Sequence, residues 1–305
     1  MRASPPYDHA PVFVGGDGRS GTTLLSLVLD SHPQLAVGPE LHFRGPVNLG
    51  PYIIRCIELR QSTPSDEQWA QLKQDPDLYP GVHFINRCHR FGVDHRRLRE
   101  LIEQTMGGLG GTLETLPERC ALVEAIGQCV RRSASADRWG LKIMRDLRII
   151  DRYAAVWPRA QFIHLVRDGR DVAASQLRDH DSWGYADIEQ AAKGWVDLIR
   201  KTRKLAKPYQ VMEVKYEDLV VDAERTIRRL LDFLGVCWDD RVLQHSRVDH
   251  SLFANPYHHP SIATVVNPIN ASAVGRYRRD LTAEQITSFN RIAGETLSEF
   301  GYGLS

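Results

Sequence analysis

Short apolar runs alternate along this chain with longer stretches in which apolar residues recur at helical spacing. The short runs have the length of buried strands, and the longer stretches have the period of an amphipathic helix. This alternation predicts an α/β protein with a central parallel sheet flanked by helices. We predict strands at 11–14, 35–38, 138–143, 161–166 (the central strand) and 210–216, and later helices at 187–206, 222–234 and 282–299.

Residues 46–137 depart from this alternation. Prolines and the glycine-rich segment 107–111 interrupt them repeatedly, and amphipathic helical patterns such as 94–106 and 117–132 lie between these breaks. No segment of this region has a convincing strand pattern. We therefore predict a helical insertion between two strands of the sheet.

A glycine-rich loop joins the first predicted strand to the first predicted helix. Residues 11–31 read PVFVGGDGRSGTTLLSLVLDS, and strand, glycine loop and helix together make a geometry that holds a phosphate. The spacing of Gly16 and Gly21 is that of a nucleotide P-loop, but Thr22 stands where a P-loop NTPase has its lysine, and the cation comes earlier as Arg19. This indicates an anion site unsuited to Mg·ATP; a tight turn before a helix is the alternative.

A second candidate anion site follows the strand predicted at 161–166. Arg167 stands at the strand tip, and Ser175 falls near the start of a helix predicted from about Val172. An arginine and a hydroxyl at a helix start suit an anion. A helix cap with a surface Arg–Asp ion pair fits the same residues.

Two single residues are candidates for chemistry because of their places on predicted strands. Glu40 follows the strand at 35–38, where open α/β sheets bind ligands, and Lys142 lies near the end of the strand at 138–143. Buried lysines are rare unless they are paired. A solvated loop carboxylate and a lysine that reaches solvent from an edge strand are the alternatives.

Composition narrows the class of protein. The chain has 305 residues, 25% of them charged, and a formal net charge of +1, which argues against general attraction to nucleic acid or membranes. No apolar run has membrane-spanning length and no signal-peptide pattern occurs, so we expect a cytoplasmic protein. The five cysteines form no CxxC pair, which argues for free thiols and against a zinc site.

These features together resemble the sulfotransferases that use 3′-phosphoadenosine-5′-phosphosulfate (PAPS), and most of all the tyrosylprotein sulfotransferase branch. The resemblance covers residues 11 to about 280, with 46–137 poorly matched. RSGTT at 19–23 matches the family's 5′-phosphosulfate loop, and Arg167 with Ser175 matches its 3′-phosphate motif. The resemblance implies a three-layer P-loop-like fold with a helical insertion, in a single sulfotransferase domain over 1–305 whose segment 46–137 determines acceptor specificity.

The same resemblance implies individual roles. Glu40 becomes the catalytic base, Lys142 the transition-state lysine, and Arg19 and Ser261 further catalytic donors. The implied cofactor contacts are Gly18, Arg19, Ser20, Gly21, Thr22, Thr23, Arg167, Ser175, Tyr216, Thr264, Asn270 and Arg276. His42 departs from the pattern, because animal members have an arginine there that helps to grip acidic peptides.

The resemblance predicts in-line transfer of a sulfuryl group from PAPS to an acceptor hydroxyl, leaving 3′-phosphoadenosine 5′-phosphate (PAP), without a metal. The acceptor is a phenol or alcohol of a small molecule, glycan, lipid or peptide tyrosine. We expect burial to raise the pKa of Glu40 towards that of the acceptor. A P-loop kinase or NTPase and a non-catalytic nucleotide-binding module are the alternatives. A homodimer is the default assembly.

Overall fold

Five parallel strands form the centre of the molecule in the computed structural model. The structure describes residues 7–45, 48–63, 65–178, 184–250 and 262–304. The strands are β1 (Val12–Gly15), β2 (Leu35–Gly38), β3 (Arg138–Met144), β4 (Gln161–Val166) and β5 (Gln210–Lys215). They lie in the order β2-β3-β1-β4-β5, and every neighbouring pair is parallel.

Helices cover both faces of this sheet. Their bounds are α1 Thr22–Asp30, α2 Leu49–Ser62, α3 Asp66–Gln71, α4 Tyr79–Arg90, α5 His95–Leu109, α6 Leu116–Ser133, α7 Ile150–Val156, α8 Gly169–Arg178, α9 Ile188–Ala206, α10 Tyr216–Val221, α11 Ala223–Leu234, α12 Ile262–Val265, α13 Tyr277–Asp280 and α14 Ala283–Glu299. Short 3-10 helices span Leu72–Gln74, Arg145–Ile149 and Asp240–Arg247.

Strands β1–β4 are buried because they carry apolar residues on both faces, whereas the edge strand β5 is only partly buried. Phe13 pairs in register with Phe162, and their rings stack at 5.3 Å beside Trp139 and Trp157. Valines of β1 and the apolar side chains of α1 and α11 form the core on the opposite face. Parallel strands covered on both sides lack the polar alternation of a half-exposed sheet.

Strand order determines where a ligand can bind. From β1 the chain first builds β2 and β3 on one side of β1, and then β4 and β5 on the other. The carboxyl end of β1 is therefore a topological switch point, where open α/β sheets form a crevice. The glycine loop follows β1 directly, so it lies at this crevice.

The structure confirms the predicted α/β fold and corrects several details. Helices α2–α6 lie between β2 and β3, and the described part of 46–137 contains no strand. The central strand is β1, whereas β4 lies beside it. Helix α8 begins at Gly169, earlier than predicted, because the Asp168 carboxylate accepts a hydrogen bond from the Arg170 backbone N–H and starts the helix. Tyr216 begins α10 and does not end β5.

None of the described helices combines the length and the apolar character needed to cross a bilayer.

Close packing between α6 and the sheet gives a test of the fold. A Cβ at Gly127 would lie 2.3 Å from the Trp139 ring, which is almost fully buried. We expect Gly127→Ala to lower the free energy of unfolding by about 1–3 kcal/mol, because the ring has no space to move into. Urea unfolding followed by circular dichroism measures the change.

Gly107→Ala is the matched control for this substitution. Gly107 lies in α5, with no atom within 4 Å of an added Cβ, so alanine should raise the free energy of unfolding by about 0.5–1 kcal/mol through helix propensity. Equal effects of the two substitutions would contradict the packing of α6 on β3.

Candidate active site

The loop between β1 and α1 is held in one conformation by a buried carboxylate. Asp17 Oδ1 accepts hydrogen bonds from the Gly18 N–H at 2.8 Å, from Arg145 at 2.7 Å and from Gln176 at 3.2 Å. Arg19 follows with its backbone in the left-handed region, at φ 71°. Non-glycine residues held in this region are strained and are common at ligand sites. The loop is therefore preformed next to the unpaired N–H groups at the start of α1.

Gly21 is required for close contact between this loop and α10. Its φ is 94°, and a Cβ there would lie 2.5 Å from the ring of Tyr216. The guanidinium of Arg167 lies 4.6 Å from the centre of the same Tyr216 ring. The tyrosine therefore contacts both the glycine loop and the arginine that follows β4.

The two candidate anion sites are contiguous. Arg19 Nε donates to Ser175 Oγ at 2.8 Å, and Arg167 Nη1 donates to the Arg19 backbone oxygen at 3.1 Å. The Nε of Arg167 is buried and has no hydrogen-bond partner among the described residues. An orphaned buried donor of this kind suits an anion. Ser175 lies in the second turn of α8, one turn later than the sequence predicted.

Asp171 connects this arginine to the segment before α13. Its carboxylate is fully buried and accepts from Arg167 Nη2 at 3.2 Å, from the Gly275 N–H at 2.9 Å and from the Tyr277 N–H at 2.9 Å. Arg276, one of the predicted phosphate contacts, lies between these two amides. Asp171 therefore fixes the distance between α8 and the chain segment that carries Arg276.

Glu40 and Lys142 meet at the opposite wall. Lys142 Nζ lies 2.7 Å from Glu40 Oε2 and donates to Thr23 Oγ1 at 2.9 Å, so one ammonium contacts both the acid and the glycine loop. Arg87 Nη2 lies 2.9 Å from Glu40 Oε1. The side chains of Lys142, Arg87 and Glu40 expose only 4%, 6% and 13% of their surface. A buried carboxylate thus has a cation on each oxygen.

The expectation that the pKa of Glu40 is raised is wrong, because of the cations that surround it. Burial acts to raise the pKa of this carboxyl, but Lys142 and Arg87 outweigh it and hold the pKa well below its ordinary value. Burial also lowers the pKa of Lys142, and Glu40 partly offsets that effect. Glu40 is therefore ionised at neutral pH, and its contribution to stability is present above its ordinary pKa and is lost as the pH falls through the lower folded value.

One cavity of about 1190 Å³ joins these groups. Sites for one small molecule typically measure about 300–1,000 Å³, so this cavity has room for two reactants. Its wall includes every candidate residue of the described chain except Ser20, namely Gly18, Arg19, Gly21, Thr22, Thr23, Glu40, Lys142, Arg167, Ser175, Tyr216, Thr264, Asn270 and Arg276. Ser20 is buried within the loop, and Ser261 lies outside the described residues.

Positive charge is concentrated in this cavity. The chain as a whole has a formal net charge of only +1. Among the described residues of the wall, eight are arginine or lysine (Arg19, Arg44, Arg87, Lys142, Arg145, Arg167, Arg178 and Arg276) and two are acidic (Glu40 and Asp146). Such a cleft focuses an electric field that attracts anions. No group of three or more metal-binding side chains occurs in the described ranges.

Three of the aromatic rings in the cavity wall form a cluster, those of His42, His83 and Tyr79. The His42 and His83 rings lie 4.7 Å apart, and Tyr79 lies 5.3 Å from His83. Burial lowers the pKa of His42, so this imidazole is mainly neutral at neutral pH. Tyr79 and His83 belong to α4, which makes the region between β2 and β3 part of the cavity wall.

Sequence reasoning missed Arg87 and Asp171. Arg87 lies among apolar residues on the buried side of α4, and a basic residue in that pattern was the available signal. Asp171 carries no motif signal in the sequence, yet it is fully buried. Both depend on partners that are distant in the chain or unrelated to any motif.

Comparison with known proteins identifies the family. A family model described as "Sulfotransferase family" matches residues 11–240. Protein-tyrosine sulfotransferase A of Caenorhabditis elegans is 25% identical over 313 residues, which cover 99% of this chain and 70% of that protein. The Drosophila melanogaster protein-tyrosine sulfotransferase is 25% identical over 95% of this chain, which spans 51% of that protein. The resemblance drawn from the motifs is thus confirmed.

Other relatives broaden this picture. The omega-hydroxy-beta-dihydromenaquinone-9 sulfotransferase Stf3 of Mycobacterium tuberculosis is 24% identical over 96% of this chain and 75% of its own length. The sulfotransferase domain from the curacin biosynthetic pathway superposes with a TM-score of 0.62 at 18% identity, covering 97% of this chain and 99% of that domain. This structural likeness establishes the shared fold.

The buried hydrogen bonds of Asp171 predict that this residue holds the segment before α13 against α8. In Asp171→Asn the amide keeps one acceptor oxygen and turns its NH₂ towards a backbone N–H, so at least one buried donor loses its partner. We expect the free energy of unfolding to fall by about 1–3 kcal/mol and the amides of Gly275 and Tyr277 to exchange hydrogen faster. Hydrogen-exchange mass spectrometry measures this.

Asp280→Asn serves as the control for Asp171→Asn. Asp280 pairs with Arg276 and Arg279 close to the same segment, but it is partly exposed. It should leave exchange at Gly275 and Tyr277 nearly unchanged. Similar exchange in both variants would contradict the anchoring role of Asp171.

Proposed function

This chain belongs to the sulfotransferase family, and we propose that it transfers the sulfuryl group of PAPS to an acceptor hydroxyl. The observation that carries the proposal is the meeting of Glu40, Lys142 and Thr23 in one cavity with Arg167 and Ser175. A base and a cation beside a phosphate-binding loop suit transfer to a hydroxyl. Mere nucleotide binding would require neither Glu40 nor Lys142.

The residues present fit the two anionic ends of PAPS. The glycine loop and Arg19 suit the 5′-phosphosulfate, and Arg167 with its buried Nε suits the 3′-phosphate together with Ser175. Tyr216, lying against Arg167, offers a ring surface next to these groups. ATP has no 3′-phosphate and would leave Arg167 without a ligand. The absence of the P-loop lysine at Thr22 also disfavours an NTPase.

When bound, PAPS supplies the sulfuryl group, and its 5′-phosphate is the leaving group. Glu40 takes the hydroxyl proton of the acceptor, while the acceptor oxygen bonds to sulfur and the sulfur–oxygen bond to the phosphate breaks. Lys142 and Arg19 neutralise the charge that develops on the departing phosphate. We propose that Ser261 donates a further hydrogen bond. The products are a sulfate ester and PAP, so atoms and charge balance.

Glu40 suits a late proton transfer. Its carboxylate is ionised and ready to accept, but its lowered pKa makes it a weak base. Phosphoryl transfer proceeds through a loose transition state in which positioning and charge stabilisation dominate, and sulfuryl transfer resembles it. The hydroxyl proton becomes strongly acidic once its oxygen bonds to sulfur. A weak but well-positioned base is then sufficient.

We propose that the region 46–137 determines the acceptor within a single domain over 1–305. Tyr79, His83 and Arg87 of α4 line the cavity, and Arg87 contacts Glu40 there. The relatives named above include enzymes named for protein tyrosine and for a menaquinone derivative. This breadth supports a hydroxyl acceptor without selecting one class. Mass spectrometry of an acceptor panel, read as the gain of one SO₃, identifies it.

Nucleotide binding tests the donor. At about 100 times its Kd, PAP should raise the free energy of unfolding by about 2.7 kcal/mol, whereas AMP, which lacks the 3′-phosphate, should raise it less at the same concentration. Differential scanning fluorimetry with PAP, AMP and Mg·ATP measures this. Arg167→Met should remove the difference between PAP and AMP. A preference for Mg·ATP would instead favour a kinase or NTPase.

Turnover with radiolabelled PAPS tests whether Glu40 is the catalytic base. We expect Glu40→Gln to lower kcat by about 10²–10⁴ while PAP binding is retained, because general base catalysis contributes that range. Asp146→Asn is the control: Asp146 lines the same cavity but pairs with Arg44 and Tyr153, so its turnover should stay close to that of the wild type. Near-normal turnover of Glu40→Gln would remove Glu40 from this role. PAP binding without any sulfate transfer would favour a non-catalytic module.

A further inference from the structure

The two oxygens of Glu40 face cations from different parts of the chain. Lys142 of β3 lies on Oε2 at 2.7 Å, and Arg87 of α4 lies on Oε1 at 2.9 Å. His83 stands one helical turn before Arg87, with its Nε2 3.4 Å from Arg87 Nη2. Arg87 is therefore supported within its own helix and reaches the carboxylate from the side opposite Lys142.

The ammonium of Lys142 has a second partner besides Glu40. Its Nζ also donates to Thr23 of the glycine loop at 2.9 Å, where the leaving phosphate belongs in the proposed reaction. While the ammonium pairs with Oε2, it lowers the basicity of the oxygen that must receive the proton, so a shift of Lys142 towards the leaving phosphate would favour proton transfer. Of the two cations on Glu40, Lys142 is the one placed to turn towards the donor. Arg87 contacts the other oxygen and remains.

We propose that Arg87 is a positioning residue, which holds Oε1 of Glu40 so that Oε2 receives the acceptor proton when Lys142 turns to the leaving phosphate. This inference rests on the proposed function. The planar guanidinium suits the task, because it fixes a carboxylate in orientation, whereas an ammonium acts as a point charge. The near-complete burial of Arg87 excludes competing water.

The charged surroundings of Glu40 make this role measurable. The titratable and charged groups that face it or its partners are Lys142 from β3, Arg87 and His83 from α4, His42 from its own segment, Arg90 near Lys142 and Asp146 near His42. Burial opposes ionisation of the carboxyl, and cations within a few ångströms favour it. Removing the positive charge of Arg87 therefore leaves the effect of burial on the Glu40 carboxyl less opposed, and its pKa rises.

The test reads the carboxyl of Glu40 directly. Side-chain ¹³C carboxyl NMR is recorded as a function of pH on the wild type, Arg87→Met and Arg87→Lys, with the Glu40 resonance assigned by its loss in Glu40→Gln. We expect the pKa of Glu40 to rise in Arg87→Met, because burial is then opposed by one cation fewer, and to remain closer to the wild-type value in Arg87→Lys. An unchanged pKa in Arg87→Met would overturn the proposal.

Kinetics separate positioning from charge. With radiolabelled PAPS and the acceptor found in the panel, or p-nitrophenol as the probe, kcat should fall by about 10²-fold in Arg87→Met, since misplacement of a reacting group has that effect. The acid limb of the pH–rate profile should move to higher pH. Arg87→Lys should restore the acid limb but only part of kcat. Full wild-type kcat in Arg87→Lys would overturn the orienting role.

Two controls complete the design. Arg138→Met removes another arginine, a partly buried one at the other end of β3 that donates to the Ala10 and Leu234 carbonyls. This variant should leave the pKa of Glu40 unchanged. PAP binding should be intact in every variant that folds. If Arg87→Met does not fold, Arg87→Lys decides through kcat. If the wild type does not bind PAP, the proposed function fails, yet the NMR titration still tests the contact between Arg87 and Glu40.

Discussion

A single buried carboxylate, held between two cations, is the interaction on which this active site depends. Burying Glu40, Lys142 and Arg87 carries a desolvation penalty of several kcal/mol per ion, which only close pairing offsets. The three residues come from the end of β2, from β3 and from α4. The ion cluster therefore requires that the sheet and the helices between β2 and β3 stay in fixed contact, and it joins the two structural regions at the point where chemistry is proposed.

The anion-binding half of the cavity follows from the parallel sheet. Strands β1 and β4 end side by side, so the loop after β1 and Arg167 after β4 meet at the same edge. Asp17 and Asp171 then fix these segments through buried hydrogen bonds, each with three donors. Two buried acids thus organise a surface that is rich in cationic side chains. Their charges are neutralised by arginines, which leaves the net field of the cavity positive.

The position of the cations distinguishes this site from that of a P-loop NTPase. Such enzymes carry the phosphate-binding lysine within the loop itself. Here Thr22 occupies that place, and the ammonium comes from Lys142 on the neighbouring strand β3, where it also contacts the carboxylate. In the proposed reaction, one side chain therefore links the charge of the leaving group to the base. A loop lysine would reach the phosphates without any link to the acceptor side.

Local sequence was sufficient for the strands and for the motif residues. The apolar runs identified the five described strands and placed Glu40, Lys142 and Arg167 near strand ends, and the glycine pattern placed Arg19 in the loop after β1, because these features depend on neighbours within a few residues. The capping residues Thr115 and Thr282, each with its partner three residues on, similarly determine where α6 and α14 begin.

Only the tertiary structure decided the strand order, the burial of Asp171 and the contact of Arg87 with Glu40. It also reversed the expected pKa of Glu40, since burial alone raises that value and two cations from distant segments lower it. Burial and charge pairing depend on residues that are far apart in the chain. The periodicity and spacing of the sequence therefore do not predict them. The sequence by itself therefore determined which groups could act, and the fold determined which of them meet and in which protonation state.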